Sequence, residues 1–283
     1  MIGRRDIGLL GTAASLGATA IAAPAQAQTG TEGSTWEAIR TRKVLRLGAT
    51  SSEPWYAKSA ATGEWSGMAV ALAQQIASDL DAKLEVVETT WANAPAGLQA
   101  RQFDVMFVLD PTPPRALAID FPFAPVLYYA LGVMSRDLIP VSTWVDLDKP
   151  GMTIAVPIGT SMDRELTARL PHADITRLRN NDETILHYQS GRSRLLALFH
   201  PALLAYRLRI GQGTVIVPKP AVSAVAGAGV RREADKTWRD YLTTVLTYHY
   251  EAGTTERLYR EYLASRGMDP ASVPGITKAA LAG

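Results

Sequence analysis

Arg115 ends the stretch Phe103-Asp104-Val105-Met106-Phe107-Val108-Leu109-Asp110-Pro111-Thr112-Pro113-Pro114-Arg115, and that order of residue types describes an anion clamp at the end of a strand. Val105 to Leu109 is an unbroken apolar run of β-formers, the pattern of a buried strand in a parallel sheet. Pro111, Pro113 and Pro114 forbid its continuation. Open α/β sheets bind ligands at the carboxyl ends of their strands, which is where Arg115 falls. Five guanidinium donors in a fixed fork match a carboxylate, so the chemistry is recognition of a small acid. The competing reading makes Arg115 a helix-start residue paired with Asp120 or with solvent. Asp110, five residues earlier, either faces the same cleft, where a carboxylate beside a guanidinium suits a zwitterion, or bonds its own backbone ahead of Thr112 as an Asx turn.

Gly159-Thr160-Ser161 lies between an apolar strand and a helical segment. Backbone N–H groups and hydroxyls at a helix N-terminus favour an anion and would complement Arg115 from a second lobe; the same residues also read as an ordinary N-cap. Trp55, Tyr56 and Trp91 fall in loops or at strand ends, where an aromatic either stacks on a small ligand or fills a core; Tyr56 is read as structural. His172, His187, His200 and His249 show no metal-ligand spacing, so neither a metal nor a cofactor is expected. No nucleophile elbow, phosphate-binding loop or dinucleotide fingerprint is present.

The elements that position these residues are legible in the pattern. Strand Val44–Gly48, an amphipathic helix from Met68 to Leu80, strand Leu84–Val87, a short helix Pro95–Arg101 and strand Val105–Leu109 make a β-α-β-α-β order, one doubly wound α/β half. A linker over Ser135–Pro140 leads to a second cycle: strand Met152–Val156, helix Met162–Leu170, strand Ile175–Leu178, helix Glu183–Ser190 and strand Leu195–Leu198. A strand at Val215–Val217 and helices over Trp238–Tyr250 and Thr255–Leu263 follow, the helices not placed by periodicity.

Arg4-Arg5, a weakly apolar Ile7–Ala23 stretch interrupted by glycines, and Ala25-Gln26-Ala27 read as a twin-arginine export signal over residues 1–27, cleaved after Ala27. Cleavage changes the charge balance from 29 basic and 27 acidic side chains to 27 and 26, which gives no reason to expect nucleic acid. The chain contains no cysteine, which removes disulfides, thiol chemistry and a lipidated-cysteine anchor together. The expectation is a soluble periplasmic monomer whose mature chain, about 256 residues, suits two lobes.

Taken in order, Lys43-Val44-Leu45-Arg46-Leu47-Gly48, Pro54-Trp55, Gly67-Met68-Ala69-Val70, Trp91 to Leu98, Asp104 to Phe121, Gly159-Thr160-Ser161 and Gly191-Arg192 to Pro201 resemble the periplasmic solute-binding proteins of polar amino acid ABC importers, the family-3 extracellular binding proteins with the type II periplasmic fold. The resemblance implies two doubly wound α/β lobes joined by two hinge crossovers: a leader at 28–43, lobe 1 at 44–132 and 224–283, and lobe 2 at 137–219. Hinge strands near Leu131–Met134 and Pro218–Ser223 would absorb lobe rotation. It implies an inner-membrane permease as partner, and a ligand carboxylate gripped by Arg115 and by Thr160 and Ser161, with Trp91 as a wall. Asp110, Thr112, Ser52, Trp55, Phe199 and His200 complete the expected site.

Departures from the family pattern bear on specificity. Where the family has a lobe-2 aspartate for the ligand ammonium shortly before the equivalent of Pro201, this chain has Leu198-Phe199-His200. Arg194, Ser52 and Ala71 replace a usual aspartate, aromatic and aspartate. Either Asp110 has taken over the ammonium, which is the reading favoured, or the ligand is an acid without an amine. The alternatives are an enzyme on the same scaffold, resembling cyclohexadienyl dehydratase, with Asp110 or Glu53 as its acid, or an accessory of another exported system such as a quinoprotein dehydrogenase. Glu53 is expected on a solvent-facing loop.

Overall fold

The computed structural model describes residues 33–281, so the expected export signal and the opening of the leader lie outside the described residues. The chain runs through α1 (Thr35–Arg42), β1 (Val44–Ala49), the short strands β2 (Ala57–Lys58) and β3 (Trp65–Ser66), α2 (Met68–Asp79), β4 (Lys83–Glu88), α3 (Ala94–Gln99), β5 (Val105–Leu109), α4 (Pro113–Ala118), β6 (Ile119–Asp120) and β7 (Leu127–Ser135). It continues through β8 (Thr153–Pro157), α5 (Ser161–Arg169), β9 (Asp174–Leu178), α6 (Asn181–Gln189), β10 (Leu195–Phe199), α7 (His200–Ile210), β11 (Thr214–Ile216), β12 (Ser223–Arg231), α8 (Thr237–Glu251) and α9 (Thr254–Ser265).

The main sheet has the order β4-β1-β5-β12-β7-β10-β8-β9. β1 is parallel to β4 and β5, and β8 is parallel to β9 and β10, so each wing is an α/β half of the expected kind. Between them run two nine-residue strands that change partner midway. β7 pairs β12 through Leu127–Ala130 and β10 through Leu131–Ser135; β12 pairs β7 through Ser223–Ala226 and β5 from Gly227 onward. These two strands are the crossovers, and the curled sheet forms two lobes on either side of a cleft.

The outgoing crossover lies where Leu131–Met134 was expected. The returning one extends further than expected: Pro218–Ser223 reaches β12 at Ser223, opposite Ala130, and the change of partner to β5 comes at Ala226 and Gly227. Ser223–Arg231 is built largely of alanine and glycine, with Val225 and Val230 its only β-branched residues, and so carries little of the signal by which strands are usually recognised. Small residues are required there, because a Cβ on Gly229 would stand 2.5 Å from the Leu109 side chain.

The helices cover the wings as their apolar spacing demands. α2 buries Met68, Ala69, Leu72, Ala73, Ile76 and Ala77, and its opening turn, which lacks a side-chain cap, donates the Met68 and Ala69 N–H groups to the carbonyls of Pro54 and Trp55. α9, left unplaced by its sequence, packs on α2 and α8. α8 is fixed to β5 by the buried Trp238 indole, which donates to the Asp104 carbonyl at 3.0 Å. Within the expected leader, α1 starts on a capping box made by Ser34 and Glu37.

Candidate ligand-binding cleft

Parallel strands within a lobe direct their carboxyl ends to one side, and in both lobes that side is the cleft. β1, β4 and β5 lead into Ser52–Trp55, Trp91 and Asp110–Arg115; β8, β9 and β10 lead into Thr160–Ser161, Asn181 and Phe199. The crossover β7 adds Tyr129. Together these residues line a narrow cavity between the lobes. The apolar share of the wall comes from Trp55, Trp91, Val108, Met162, Leu198, Phe199 and Ala202.

β5 is bulged where it meets the cleft. Leu109 pairs Gly227 and Phe107 pairs Ala228, which leaves Val108 without a cross-strand partner at φ 57°. A β-branched residue occupies that left-handed region only at a cost, and such strain collects at functional sites. A bulge re-aims the residues that follow it, here Leu109 and Asp110.

Asp110 and Arg115 are both buried. The Asp110 carboxylate accepts hydrogen bonds from the Tyr129 hydroxyl of the crossover and from the Ser161 hydroxyl of the opposite lobe. Arg115 donates from Nη1 to the Asp110 carbonyl at 3.0 Å and from Nη2 to the Gly159 carbonyl at 3.3 Å, which occupies two of its five donors. Asp120 is engaged elsewhere, by Arg232 and Lys236, so the pairing of Arg115 with Asp120 is not formed. The Asx-turn reading of Asp110 also fails, because Thr112 N–H bonds the Asp110 backbone carbonyl and not its side chain.

Burial raises the Asp110 carboxyl above its ordinary pKa, against the lowering effects of Ser161, Tyr129 and Arg115. Burial likewise lowers Arg115, with the Asp110 charge opposing. Burial thus disfavours the charged form of each group, and the charge of each opposes that effect on the other.

Thr160 has spent its hydroxyl: Oγ1 accepts from Asp163 N–H at 3.1 Å, the N-cap bond of α5, and donates to the Pro157 carbonyl at 2.8 Å. The N-cap reading thus holds for the Thr160 side chain, while Ser161 reaches across the cleft. Further interlobe bonds run from Trp91 Nε1 to Asn181 Oδ1 (3.0 Å) and from Asn181 Nδ2 to Ser52 Oγ (2.8 Å).

Gly159, at φ 73°, lies so close to the other lobe that an added Cβ would meet the Ala92 Cβ at 2.9 Å. We expect Gly159→Ala to weaken ligand affinity at least tenfold, because closure would then force that contact on top of the strained φ. Calorimetric titration checks this, and an unchanged affinity would show that the lobes do not approach here in the bound state.

Two expected site residues stand outside the cavity. Thr112 is the half-buried N-cap of α4 and makes no side-chain cap bond. His200 lies behind Phe199, with Nδ1 accepting the Ala130 N–H at 3.0 Å, so it braces the crossover and leaves Phe199 to line the cavity. The buried ring, pushed to a pKa of about 4 by desolvation, stays neutral.

Its effect on stability has a definite sign. An unfolded histidine takes up a proton near 6.5 and the folded one near 4, so the unfolded chain binds more protons in between. Stability attributable to His200 is full above about 6.5, falls as the pH drops toward 4 and is level below, a change on the order of 3 kcal/mol. Denaturation of His200→Gln at pH 7 and pH 4.5 should show a smaller loss than the original chain; equal losses would contradict the assignment.

Tyr129 and Asn181 were missed in the sequence. Asn181 had a usable signal, since it lies three residues beyond the carboxyl end of a parallel strand, at the start of α6; Tyr129, inside a crossover, had none. Glu53 is not on a solvent-facing loop: its side chain is 17% exposed and is held by Arg209, Arg266 and Tyr262.

Comparison with known proteins agrees with this fold. The pattern of the bacterial extracellular solute-binding proteins, family 3, matches residues 45–265. YhdW of Escherichia coli strain K12, named as an amino-acid ABC transporter-binding protein, is 24% identical over 218 residues, 72% of this chain and 62% of that protein, so the chain spans less than two thirds of its relative's length. Among solved structures, the ancestral amino acid-binding protein AncCDT-1, described as a precursor of cyclohexadienyl dehydratase, is 26% identical with a TM-score of 0.72, covering 81% of this chain and 99% of that one. A substrate-binding protein of a Streptococcus pneumoniae amino acid ABC transporter, solved with L-arginine, shares the fold at a TM-score of 0.74 and 22% identity, covering 82% and 98%. With the family pattern spanning both lobes and the cleft between them, the chain belongs to the family-3 bacterial extracellular solute-binding proteins.

Proposed function

We propose that this protein is the periplasmic binding component of an ABC importer, that it closes two lobes around a small α-amino acid, and that it presents this solute to a permease in the inner membrane. The observation that carries the reading is the buried, oppositely charged pair Asp110 and Arg115 on one cavity wall. Arg115 takes the ligand carboxylate, and Asp110 takes the ammonium that the family's lobe-2 aspartate would hold, Leu198 and Phe199 being apolar. Ser161 and the α5 N-terminus assist the carboxylate, and Trp55 and Trp91 enclose the apolar part. The names of YhdW and of the solved relatives support an amino acid as the solute class.

In this reading residues 1–27 direct export and are cleaved after Ala27, and the mature monomer comprises lobe 1 at 44–132 and 224–283 with lobe 2 at 137–219. A thermal-shift screen tests the solute class. Ligand at a hundred times its Kd stabilises by about 2.7 kcal/mol, which for a domain of this size moves Tm by roughly 5–10 °C. Stabilisation by α-amino acids, and not by amines or amine-free acids, is expected; no stabilisation by any amino acid would overturn the reading.

The link of AncCDT-1 to cyclohexadienyl dehydratase motivates a second reading as an enzyme. Proton transfer needs a carboxylic acid at the substrate. Glu53 is committed to Arg209, Arg266 and Tyr262, and Asp110 is the one carboxylate lining the cavity among the described residues. Turnover of prephenate or arogenate would favour the enzyme; its absence favours the carrier.

A further inference from the structure

We propose that Glu53 and Arg209 form an electrostatic latch that draws the lobes together without touching ligand, so that ionic strength sets the closed population of the free protein. Glu53 belongs to the loop after β1, in the first lobe. Its Oε1 accepts from the Tyr262 hydroxyl at 2.7 Å and pairs with Arg266 Nε at 3.0 Å, both from α9 of the same lobe. Its Oε2 accepts from Arg209 Nη1 at 2.7 Å, and Arg209 sits at the end of α7, in the second lobe. The carboxylate is thus fixed from its own side and offers its second oxygen across the interface.

Arg209 is positioned in turn by its own lobe, with the guanidinium 5.4 Å from the centroid of the Tyr206 ring. The latch lies apart from the ligand cavity: a second, polar cavity of about 680 Å³ reaches Glu53, Arg209 and Arg266 on one side, and on the other shares Ser52, Asn181, Leu198 and Ala202 with the ligand cavity. Arg209 and Arg266 are each 49% exposed, so the pair is open to screening by salt. Glu53 also adjoins Ser52 and stands two residues before Trp55, both of which line the ligand cavity, and α9 stacks Tyr259 on Trp55 at 5.8 Å.

A partly exposed pair of this kind shifts the open–closed equilibrium by about two- to fivefold. Because apparent affinity scales with the competent fraction, and on the reading that closure is how the cleft binds, affinity would change by the same factor. The absence of cysteine makes the test direct. Nitroxides at Gln75→Cys on α2 and Ala168→Cys on α5, both exposed, report the interlobe distance by pulsed electron spin resonance in protein without added solute. At low salt Arg209→Ala should lengthen the distances, and 1 M NaCl should move the original chain toward the same distribution while leaving Arg209→Ala unchanged. Arg207→Ala, whose Nε bonds Gly213 within its own lobe, should move nothing.

Distances indifferent to both salt and Arg209→Ala overturn the latch. If the variant does not fold, the salt titration of the unsubstituted chain decides alone. No solute enters the measurement, so failure of the amino acid reading and failure of the latch are separately visible.

Discussion

Replacing Arg115 with alanine is expected to reduce affinity for a carboxylate-bearing solute by at least a hundredfold while lowering Tm without unfolding the protein. Removing one partner of a buried, hydrogen-bonded charge pair costs about 2–5 kcal/mol at an interface, much of it the penalty of stranding the other charge. On the proposed function the stranded group is the ligand carboxylate. The fold loses two hydrogen bonds to backbone carbonyls and the charge that eases buried Asp110, a cost offset in part because burial already disfavours the Arg115 charge. Arg115→Lys should recover only part of the affinity, since an ammonium cannot reproduce the fork. Calorimetric titration and a melting curve read both quantities; retained affinity would remove Arg115 from the site.

Asp110→Asn should act in opposite directions on stability and on binding. For an acid whose folded pKa is raised, the folded chain holds more protons than the unfolded one between the two values, so stability falls as the pH rises through that interval and the loss is complete above it. At neutral pH Asp110 therefore costs stability, through burial, even with Tyr129, Ser161 and Arg115 nearby. The neutral amide removes that cost and should raise Tm at pH 7, with the gain fading toward pH 3. Affinity for amino acids should drop at least thirtyfold, in keeping with a strained site whose relief costs function. Amino acid affinity that survives the substitution would place the ammonium elsewhere.

The central strand and its turn were readable because their physics is local. Val105–Leu109 is apolar throughout since both faces are covered, and three prolines end it where Arg115 must sit. The parallel halves followed from helical and strand periodicities. β12 was not readable, because close packing on Leu109 and Leu98 selects glycine and alanine in place of β-formers. His200 sits next to a true cavity residue, and sequence adjacency could not reveal that its ring turns to Ala130. The Thr160 hydroxyl was ambiguous for a related reason: capping and ligand binding require the same residue at the same place, and only the bond to Asp163 separates them. Glu53 looked like a loop residue because its partners, Arg209, Tyr262 and Arg266, lie more than 150 positions away in sequence.

The claim that Asp110 and Arg115 together read a zwitterion is tested most directly by titrating the protein with a matched pair: the α-amino acid that gives the largest thermal shift, and its α-hydroxy acid counterpart, in which the amine alone is replaced. The account predicts binding of the amino acid and a loss of at least thirtyfold for the hydroxy acid, with Asp110→Asn erasing most of the difference. Equal or tighter binding of the hydroxy acid by the unsubstituted chain would contradict it, and would make this cleft a site for simple organic acids.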